Sequence, residues 1–314
     1  MELTMRHLRI AILLLGLSLA VALVGCAHRQ PVASGPVPGT TYSIRLGSWN
    51  LKKLGHSSTK DYDAIARVIE KNLDIMAVIE VMQKHEGHPG HDALMAQLGP
   101  GWMGQVTDRP RPATTSGNSE FYAIIWRKSE VRACSGWTGL RYQEDNDGGP
   151  NGIGPDNFAR EPAYGCYESG PAGAPAGDFL LAAYHATFHG DAAIKAEVAH
   201  LGDVFASMQS ARPGEKDLMI VGDFNRVSSQ LTTLLPAFAD KTQGSGSTLN
   251  SSGKITNNLY DHVVVFDSAA TKEMQGSAVV LDVRSAESSP SKFYATVSDH
   301  LPIMVVLKSA KDDD

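Results

Sequence analysis

Leu218-Met219-Ile220-Val221-Gly222-Asp223-Phe224-Asn225 is a short apolar run stopped by a glycine and then by Asp and Asn around a phenylalanine. A run of this length reads as a buried strand. Its polar end reads as side chains delivered to the rim of a sheet, where sites are built. The same pattern recurs outward in both directions. Trp49-Asn50 ends an alternating segment, and Glu80 ends Ile75-Met76-Ala77-Val78-Ile79. His185 follows Leu180-Leu181-Ala182-Ala183-Tyr184, Tyr260-Asp261 opens another apolar run, and Ser298-Asp299-His300 precedes Leu301-Pro302-Ile303. A single polar strand end is only a terminus meeting water. A set that carries Asn, Glu, His and Asp throughout supplies hard-cation ligands and proton carriers together.

Periodicity predicts strands over 42–51, 73–81, 120–126, 131–140, 158–167, 178–186, 217–221, 261–266, 278–283 and 302–307. It predicts helices over 61–71 and 192–209, the second with Ile194, Val198, Leu201, Val204, Phe205 and Met208 on one face. Helices placed between groups of strands fit two central sheets covered by helices, since each sheet has a face to bury. Residues 144–157 and 244–254 read as loops, and no internal repeat is present.

The N-terminus has the order of a secretory signal: Arg6, His7 and Arg9, an apolar run over 8–24, then Gly25-Cys26. Residues 28–40, with Pro31, Pro36 and Pro38, read as a semi-extended linker. The expected organisation is a signal peptide over 1–25, a linker over 26–41 and one domain over 42–310. The net charge of −6 argues against a broad basic surface for nucleic acid. It leaves room for a local positive groove completed by metal ions. Of three cysteines, Cys134 and Cys166 remain for one disulfide or two buried thiols. Oxygen ligands point to Mg²⁺ or Mn²⁺, with Ca²⁺ as a further option. His85, His88 and His91 lie among Gly87, Pro89 and Gly90 and read as a solvated loop rather than a zinc site. Asp145, Asp147 and Asp156 read as a solvated acidic loop, with a structural Ca²⁺ site as the alternative.

Two resemblances follow from these residues. Leu23-Val24-Gly25-Cys26 resembles the lipobox of bacterial lipoproteins. This implies export, lipid on Cys26 and a membrane tether, with outer-membrane sorting in a Gram-negative cell because Ala27 follows the cysteine. Trp49-Asn50, Glu80, Gly222-Asp223-Phe224-Asn225 and Ser298-Asp299-His300-Leu301-Pro302, in that order over 44–307, resemble the endonuclease/exonuclease/phosphatase superfamily. The arrangement is similar to deoxyribonucleases of the pancreatic type. The resemblance implies a four-layer α/β/β/α sandwich and a metal-dependent phosphodiesterase acting on DNA, expected as a monomer. It implies metal binding by Glu80, Asn50 and Asp299, catalysis by His185 and His300, and support of these histidines by Glu120 and Asp261. Asp223 is implied at the metal, the phosphate or the attacking water. Asn225, Arg160 of Arg160-Glu161-Pro162, Thr256 and Lys52 are implied at the substrate.

Three departures from the pancreatic pattern concern the grip on a duplex. Asn118 stands where that family has a groove-packing Tyr, Met82 where it has an Arg, and His262 where it has an Arg. The readings that compete with a nuclease are a sphingomyelinase-like phosphoesterase acting on lipid headgroups or small phosphate esters, and a non-catalytic binding module. Retention of both histidines with both carboxylates argues against the module.

Overall fold

The computed structural model describes residues 42–56, 59–84, 87–109, 120–145, 157–170, 175–188, 190–266 and 272–309. Elements are numbered in chain order. The first sheet contains β1 (Tyr42–Leu54), β2 (Ile75–Val81), β3 (Trp102–Val106), β4 (Phe121–Arg127), β11 (Thr242–Gln243), β13 (Met274–Val280) and β14 (Ile303–Ser309). Their order across the sheet is β11-β13-β14-β1-β2-β4-β3. The second sheet contains β5 (Val131–Ala133), β7 (Ala163–Ser169), β8 (Gly177–His185), β9 (Leu218–Asp223), β10 (Ala239–Asp240) and β12 (Asp261–Val265), with β6 (Arg141–Tyr142) on β7. Its order is β10-β12-β9-β8-β7-β5.

Strict alternation of apolar side chains explains the layers. Ile75, Ala77 and Ile79 of β2 meet Leu181 and Ala183 of β8 and Val221 of β9 in one core between the sheets. Met76 and Val78, one residue out of step, pack with Ile65 and Ile69 of α1 (Tyr62–Asn72) and Leu94 of α2 (Pro89–Leu98). Leu180 and Ala182 pack with Val198 of α3 (Asp191–Ala199) and with Val204 and Phe205 of α4 (Leu201–Ala211). Both faces of each sheet are therefore covered, as the near-continuous apolar runs of its central strands require. The result is a helix–sheet–sheet–helix sandwich, the four-layer arrangement expected from the sequence.

The structure adjusts several expected boundaries. The helix expected over 192–209 is two, α3 and α4, because the His200 N–H donates back to Glu197 and Val198 and turns the chain between them. The strand expected over 131–140 stops after Ala133, where the chain turns through Gly136 and Gly139 at φ 79° and 66°. The strand expected over 158–167 begins only at Ala163, after Pro162, which has no N–H to offer a ladder. β13 starts and ends ahead of the expected 278–283. The helices α2, α5 (Ser228–Leu234) and α6 (Pro290–Thr296) and the strand β3 were not expected from the sequence. Both α2 and α6 have proline in their first turn, a position where its missing N–H costs nothing. The signal segment, linker and Cys26 lie outside the described residues.

Cys134 and Cys166 form a disulfide with their Cα atoms 5.3 Å apart, joining the end of β5 to β7. It closes a loop across a sequence separation of 32 residues. Loop closure of that length contributes about 3–4 kcal/mol in the chain-entropy model. Replacing both cysteines by alanine is expected to lower unfolding stability by that amount in urea titrations, while the folded protein keeps its activity. A double variant as stable as the parent would contradict this.

Candidate active site

Three strand ends lie side by side in the second sheet. The β8/β9 register pairs His185 with Asp223, and the β9/β12 register pairs Asp223 with Asp261. Ala183, Val221 and Val263, two residues along each strand, belong to the inter-sheet core. His185, Asp223 and Asp261 therefore project to the side where that core reaches its rim. Gly222 permits the close approach. Its φ is 146°, and a Cβ there would meet the Tyr184 carbonyl oxygen at 1.9 Å.

The first sheet supplies Asn50 and Glu80. In β2 the inward row is Ile75, Ala77 and Ile79, yet Glu80 lines the cavity and Val81 packs outward. A register shift between Val78 and Val81 and a φ of 62° at Glu80 make this possible. The irregularity re-aims one side chain, as a bulge does. Lys52, Lys53 and Asn225, at φ 43°, 52° and 49°, complete the non-glycine residues with positive φ among those described. All four sit beside the same cavity or in contact with its lining. Each such backbone costs on the order of 1 kcal/mol or more, and such strain collects at functional sites.

The cavity has a volume of about 240 Å³ and is lined by, among others, Glu80, Glu120, His185, Asp223, Asn225 and His300. Asn50 Nδ2 donates to Glu80 Oε1 at 3.0 Å and to Asp223 Oδ2 at 3.3 Å. The Lys53 N–H donates to Glu80 Oε2 at 2.8 Å. His185 Nδ1 lies 2.7 Å from Glu120 Oε2, and His300 Nδ1 lies 2.8 Å from Asp261 Oδ2. The opposite nitrogens, Nε2 of His185 and of His300, stand 3.7 and 3.5 Å from Asp223 Oδ2. Each imidazole is thus fixed on one side by a carboxylate and presents the other nitrogen to a shared space. Each pair also crosses between sheets: Glu120 and His300 adjoin strands of the first, His185 and Asp261 end strands of the second.

Charge follows from these contacts. Burial disfavours the His300 imidazolium, but Asp261, Asp223 and Asp299 outweigh it and raise the group to about 10. Burial opposes the charged form of His185 as well, and Glu120 outweighs it, while the positive Arg160 nearby limits the rise. Burial pushes the Glu120 carboxyl up, and His185 with Arg160 reverses this and holds it below its ordinary value.

Arg160, implied at the substrate phosphate, is 3% exposed and turned inward. Its Nη1 donates to Glu120 Oε1 at 2.8 Å, its Nε to the His185 carbonyl at 3.1 Å and its Nη2 to the Ala186 carbonyl at 2.6 Å. The guanidinium is drawn in because Glu120, buried with His185, needs a second positive partner. Thr256 lies on a hairpin beside His300, its hydroxyl paired with that of Thr248 and accepting from the Asn258 N–H. Lys52 Nζ is 3.1 Å from Asp299 Oδ2 and 3.8 Å from the centroid of the Tyr294 ring. Asn225 donates through Nδ2 to the Ala186 carbonyl at 3.0 Å. His262 points away from the site into a buried pair with Asp240 at 2.9 Å. Asp145 accepts from the Asn157 and Phe158 N–H groups, whereas Asp147, Asp156, His85 and Asn118 lie outside the described residues.

The donor set suits a hard cation. Ligand atoms of Glu80, Glu120 and His185 lie within 4.8 Å of one another. Glu120 is committed to His185 and Arg160, and His185 Nδ1 to Glu120. Of these three, that leaves Glu80, with the Asn50 amide beside it, as an oxygen ligand facing the cavity, which Asp223 also lines. Asp299 is paired with Lys52.

Reading the sequence missed four participants. Lys53 and Phe188 line the cavity. Ser247 Oγ donates to Asp261 Oδ2 at 2.6 Å, and Ser298 Oγ donates to the Asn50 carbonyl at 2.6 Å. Ser298 stands within a motif already singled out, but Ser247 sits in a Gly/Ser stretch with no distinguishing pattern.

Residues 47–300 match the endonuclease/exonuclease/phosphatase family. A deoxyribonuclease of Thioalkalivibrio sp. (strain K90mix) is 27% identical over 278 residues, which is 84% of this chain and 71% of the relative. The deoxyribonuclease-1 of Ovis aries is 29% identical over 286 residues, 84% of this chain and 100% of the relative. The crystal structure of an endonuclease/exonuclease/phosphatase family protein from Bacteroides thetaiotaomicron superposes with a TM-score of 0.60 at 17% identity, covering 86% of this chain and 99% of that one. A mannosyl-6-phosphatase of the same organism gives a TM-score of 0.58 at 17% identity, covering 83% of this chain and 98% of that one. At such identities these structures show a shared fold.

The placement of Arg160 has a measurable consequence. Arg160→Met leaves Glu120 buried with one partner fewer, and breaking such a pair costs about 3–5 kcal/mol. The variant is expected to lose stability of that order in urea and to lose kcat with little change in KM. A stable variant with raised KM and unchanged kcat would mean that the guanidinium binds substrate instead.

Proposed function

For a chain that belongs to the endonuclease/exonuclease/phosphatase family and hydrolyses phosphate esters, we propose that the substrate is the phosphodiester backbone of DNA and that a divalent cation at Glu80 takes part. The observation that carries this reading is the convergence of two carboxylate-backed imidazoles on Asp223 Oδ2, at 3.7 and 3.5 Å, in a cavity that Glu80 also lines. The curated relatives named deoxyribonuclease support DNA as the substrate.

A phosphodiester resists attack because its non-bridging oxygens share a negative charge. A divalent ion held by Glu80 with Asn50, of the Mg²⁺ or Mn²⁺ class, neutralises that charge when bound. The chain's own residues move the protons. Water attacks phosphorus while one imidazole takes its proton, the bond to the leaving sugar oxygen breaks, and the other imidazole protonates that oxygen. His300 is the donor, because Asp261, Asp223 and Asp299 keep its charged form up to about 10. His185 is the acceptor, because Arg160 behind Glu120 limits the rise of its pKa and leaves it the more readily deprotonated of the two. Glu120 and Asp261 orient these rings, Asp223 orders the water between them, and Lys53 and Asn225 sit where the phosphate enters.

Export with a lipid on Cys26 belongs to the same proposal. The signal-like N-terminus and the disulfide, a bond of oxidising compartments, support it.

The test is digestion of plasmid DNA, single-stranded DNA and sphingomyelin side by side, with Mg²⁺, with Mn²⁺ and with chelator. DNA cleavage that the chelator abolishes is expected. Cleavage of sphingomyelin alone would replace the DNA reading by a lipid phosphoesterase. His185→Ala and His300→Ala are each expected to lower turnover by ~10²–10⁴-fold, the usual span for a lost general acid or base. Glu80→Ala is expected to lose the response to metal along with activity. The pH profile gives a sign. His185 acts when neutral, so activity rises with pH through a midpoint above the ordinary 6.5. Glu120→Gln removes the group that holds the ring charged, and moves that midpoint downward. An acid limb unmoved by Glu120→Gln contradicts the assignment.

A further inference from the structure

We propose that His262 is a positioning residue: a doubly protonated imidazole buried behind the site, it ties the chain just after Asn225 to the chain just before Asp261. This rests on the phosphodiesterase reading above, in which Asn225 sits where the phosphate enters and Asp261 orients His300. His262 stands where the pancreatic pattern has an Arg that concerns the grip on a duplex, yet it is 0% exposed. On β12 it follows inward-facing Asp261, so it points to the opposite face of the sheet, where Val264 packs with the helices. Its Nδ1 lies 2.9 Å from Asp240 Oδ2 on β10. Its Nε2 lies 2.7 Å from the Arg226 carbonyl oxygen and 2.9 Å from that of Leu259. The Phe224 ring stands at 85° to it, with centroids 5.5 Å apart.

Both ring nitrogens therefore face oxygen. A neutral imidazole has one N–H and one lone pair. With the proton on Nε2, the lone pair of Nδ1 would oppose a carboxylate. With it on Nδ1, the lone pair of Nε2 would oppose two carbonyls. The imidazolium alone offers a donor on both sides. The charged groups of the surrounding elements fit this. Asp240 faces the ring, and its other oxygen accepts from the Thr242 N–H at 2.9 Å. Asp223 of β9 and Asp261 of β12 turn to His300 on the other face of the sheet, and α5 carries no charged side chain. The Arg226 guanidinium turns away to Asp191 of α3 at 2.9 Å. Burial disfavours the His262 charge, but Asp240 and the two carbonyls outweigh it and hold the group above its ordinary value. Two bonds of this ring then brace the site. The Arg226 carbonyl is fixed beside Asn225, whose backbone is held at φ 49°. The Leu259 carbonyl is fixed two residues before Asp261, and the Phe224 N–H closes the same gap by donating to the Tyr260 carbonyl at 2.8 Å. The brace sets how far Asn225 stands from the Asp261–His300 pair.

The test has two arms. In nitrogen–proton NMR spectra of the wild-type protein at neutral pH, His262 is expected to show an N–H signal at each ring nitrogen, assigned by their loss in His262→Gln. Asp240→Asn, whose amide can itself donate to Nδ1, is expected to leave one such signal, at Nε2. A bare ring nitrogen on wild-type His262 overturns the inference. In the second arm, His262→Phe keeps a ring and removes both donors. It is expected to lower kcat by ~10–10²-fold on whichever phosphodiester the wild type cleaves, with KM little changed, the scale of a displacement of about 1 Å. His262→Gln combined with Asp240→Asn restores donors to both carbonyls and leaves no buried charge unpaired. This double variant is expected to recover most of kcat, and it decides even where His262→Phe does not fold. Unimpaired kcat in folded His262→Phe overturns the inference while the phosphodiesterase reading stands. So does a double variant that folds and still loses kcat by ~10–10²-fold. A wild type that cleaves no phosphodiester overturns that reading and the inference with it.

Discussion

Oδ2 of Asp223 accepts from the Asn50 amide at 3.3 Å and faces Nε2 of His300 at 3.5 Å and of His185 at 3.7 Å. One carboxylate oxygen therefore sits where strands from both sheets end, facing both imidazoles and the Asn50 amide. The surrounding partners make the geometry stiff. Glu120 reaches His185 across the sheet interface, and Asp261 reaches His300 in the opposite sense. The two sheets must keep their separation for either pair to form. The apolar side chains of β2, β4, β8, β9 and β12 that fill the space between them set that separation. The geometry of the candidate site is a property of the inter-sheet core carried one residue beyond its edge.

That arrangement has a cost, which is visible at the same rim. Glu80 and Asn225 line the cavity with left-handed backbone, and Lys52 and Lys53 form the adjoining end of β1 in the same way. Each is held by a specific bond: Lys53 N–H to Glu80, Lys52 N–H to Asn50 Oδ1 at 2.9 Å, Asn225 N–H to Asp223 Oδ1 at 2.9 Å. Polar contacts among site residues thus stabilise a backbone that no local preference favours, as expected where the fold is subordinated to a site. Arg160 extends this outward. It neutralises Glu120 and ties down Ala186, so one buried cation supports both the histidine and the loop that carries Phe188.

Much of this was legible in the sequence because of how sheets are built. An inward-facing row is apolar until it leaves the core, so an apolar run that stops on His185, Asp223 or Asn50 announces a rim position. The order of those stops carried the family resemblance, and with it Glu120 and Asp261. The sequence was silent where the deciding contact is local geometry or a distant partner. Nothing in Val78-Ile79-Glu80-Val81 signals the register shift that turns Glu80 inward. Arg160 beside Glu161 and Pro162 looks like a surface cation, and only the approach of Glu120 from the other sheet draws it inside. Ser247 is one of several serines in a flexible-looking stretch until the chain folds it against Asp261. The break at His200 interrupts a hydrophobic stripe whose period does not change, so periodicity alone runs through it.

In the proposed mechanism three carboxylates hold these two imidazoles as a proton-carrying pair, with His300 the more firmly charged. NMR titration of the histidine ring resonances in metal-free protein measures this directly. His300 is expected to remain an imidazolium well above neutral pH, losing its proton at about 10. Asp261→Asn or Asp223→Asn is expected to bring that value down. A His300 that titrates near the ordinary 6.5 in the wild-type protein, unmoved by either substitution, would contradict it.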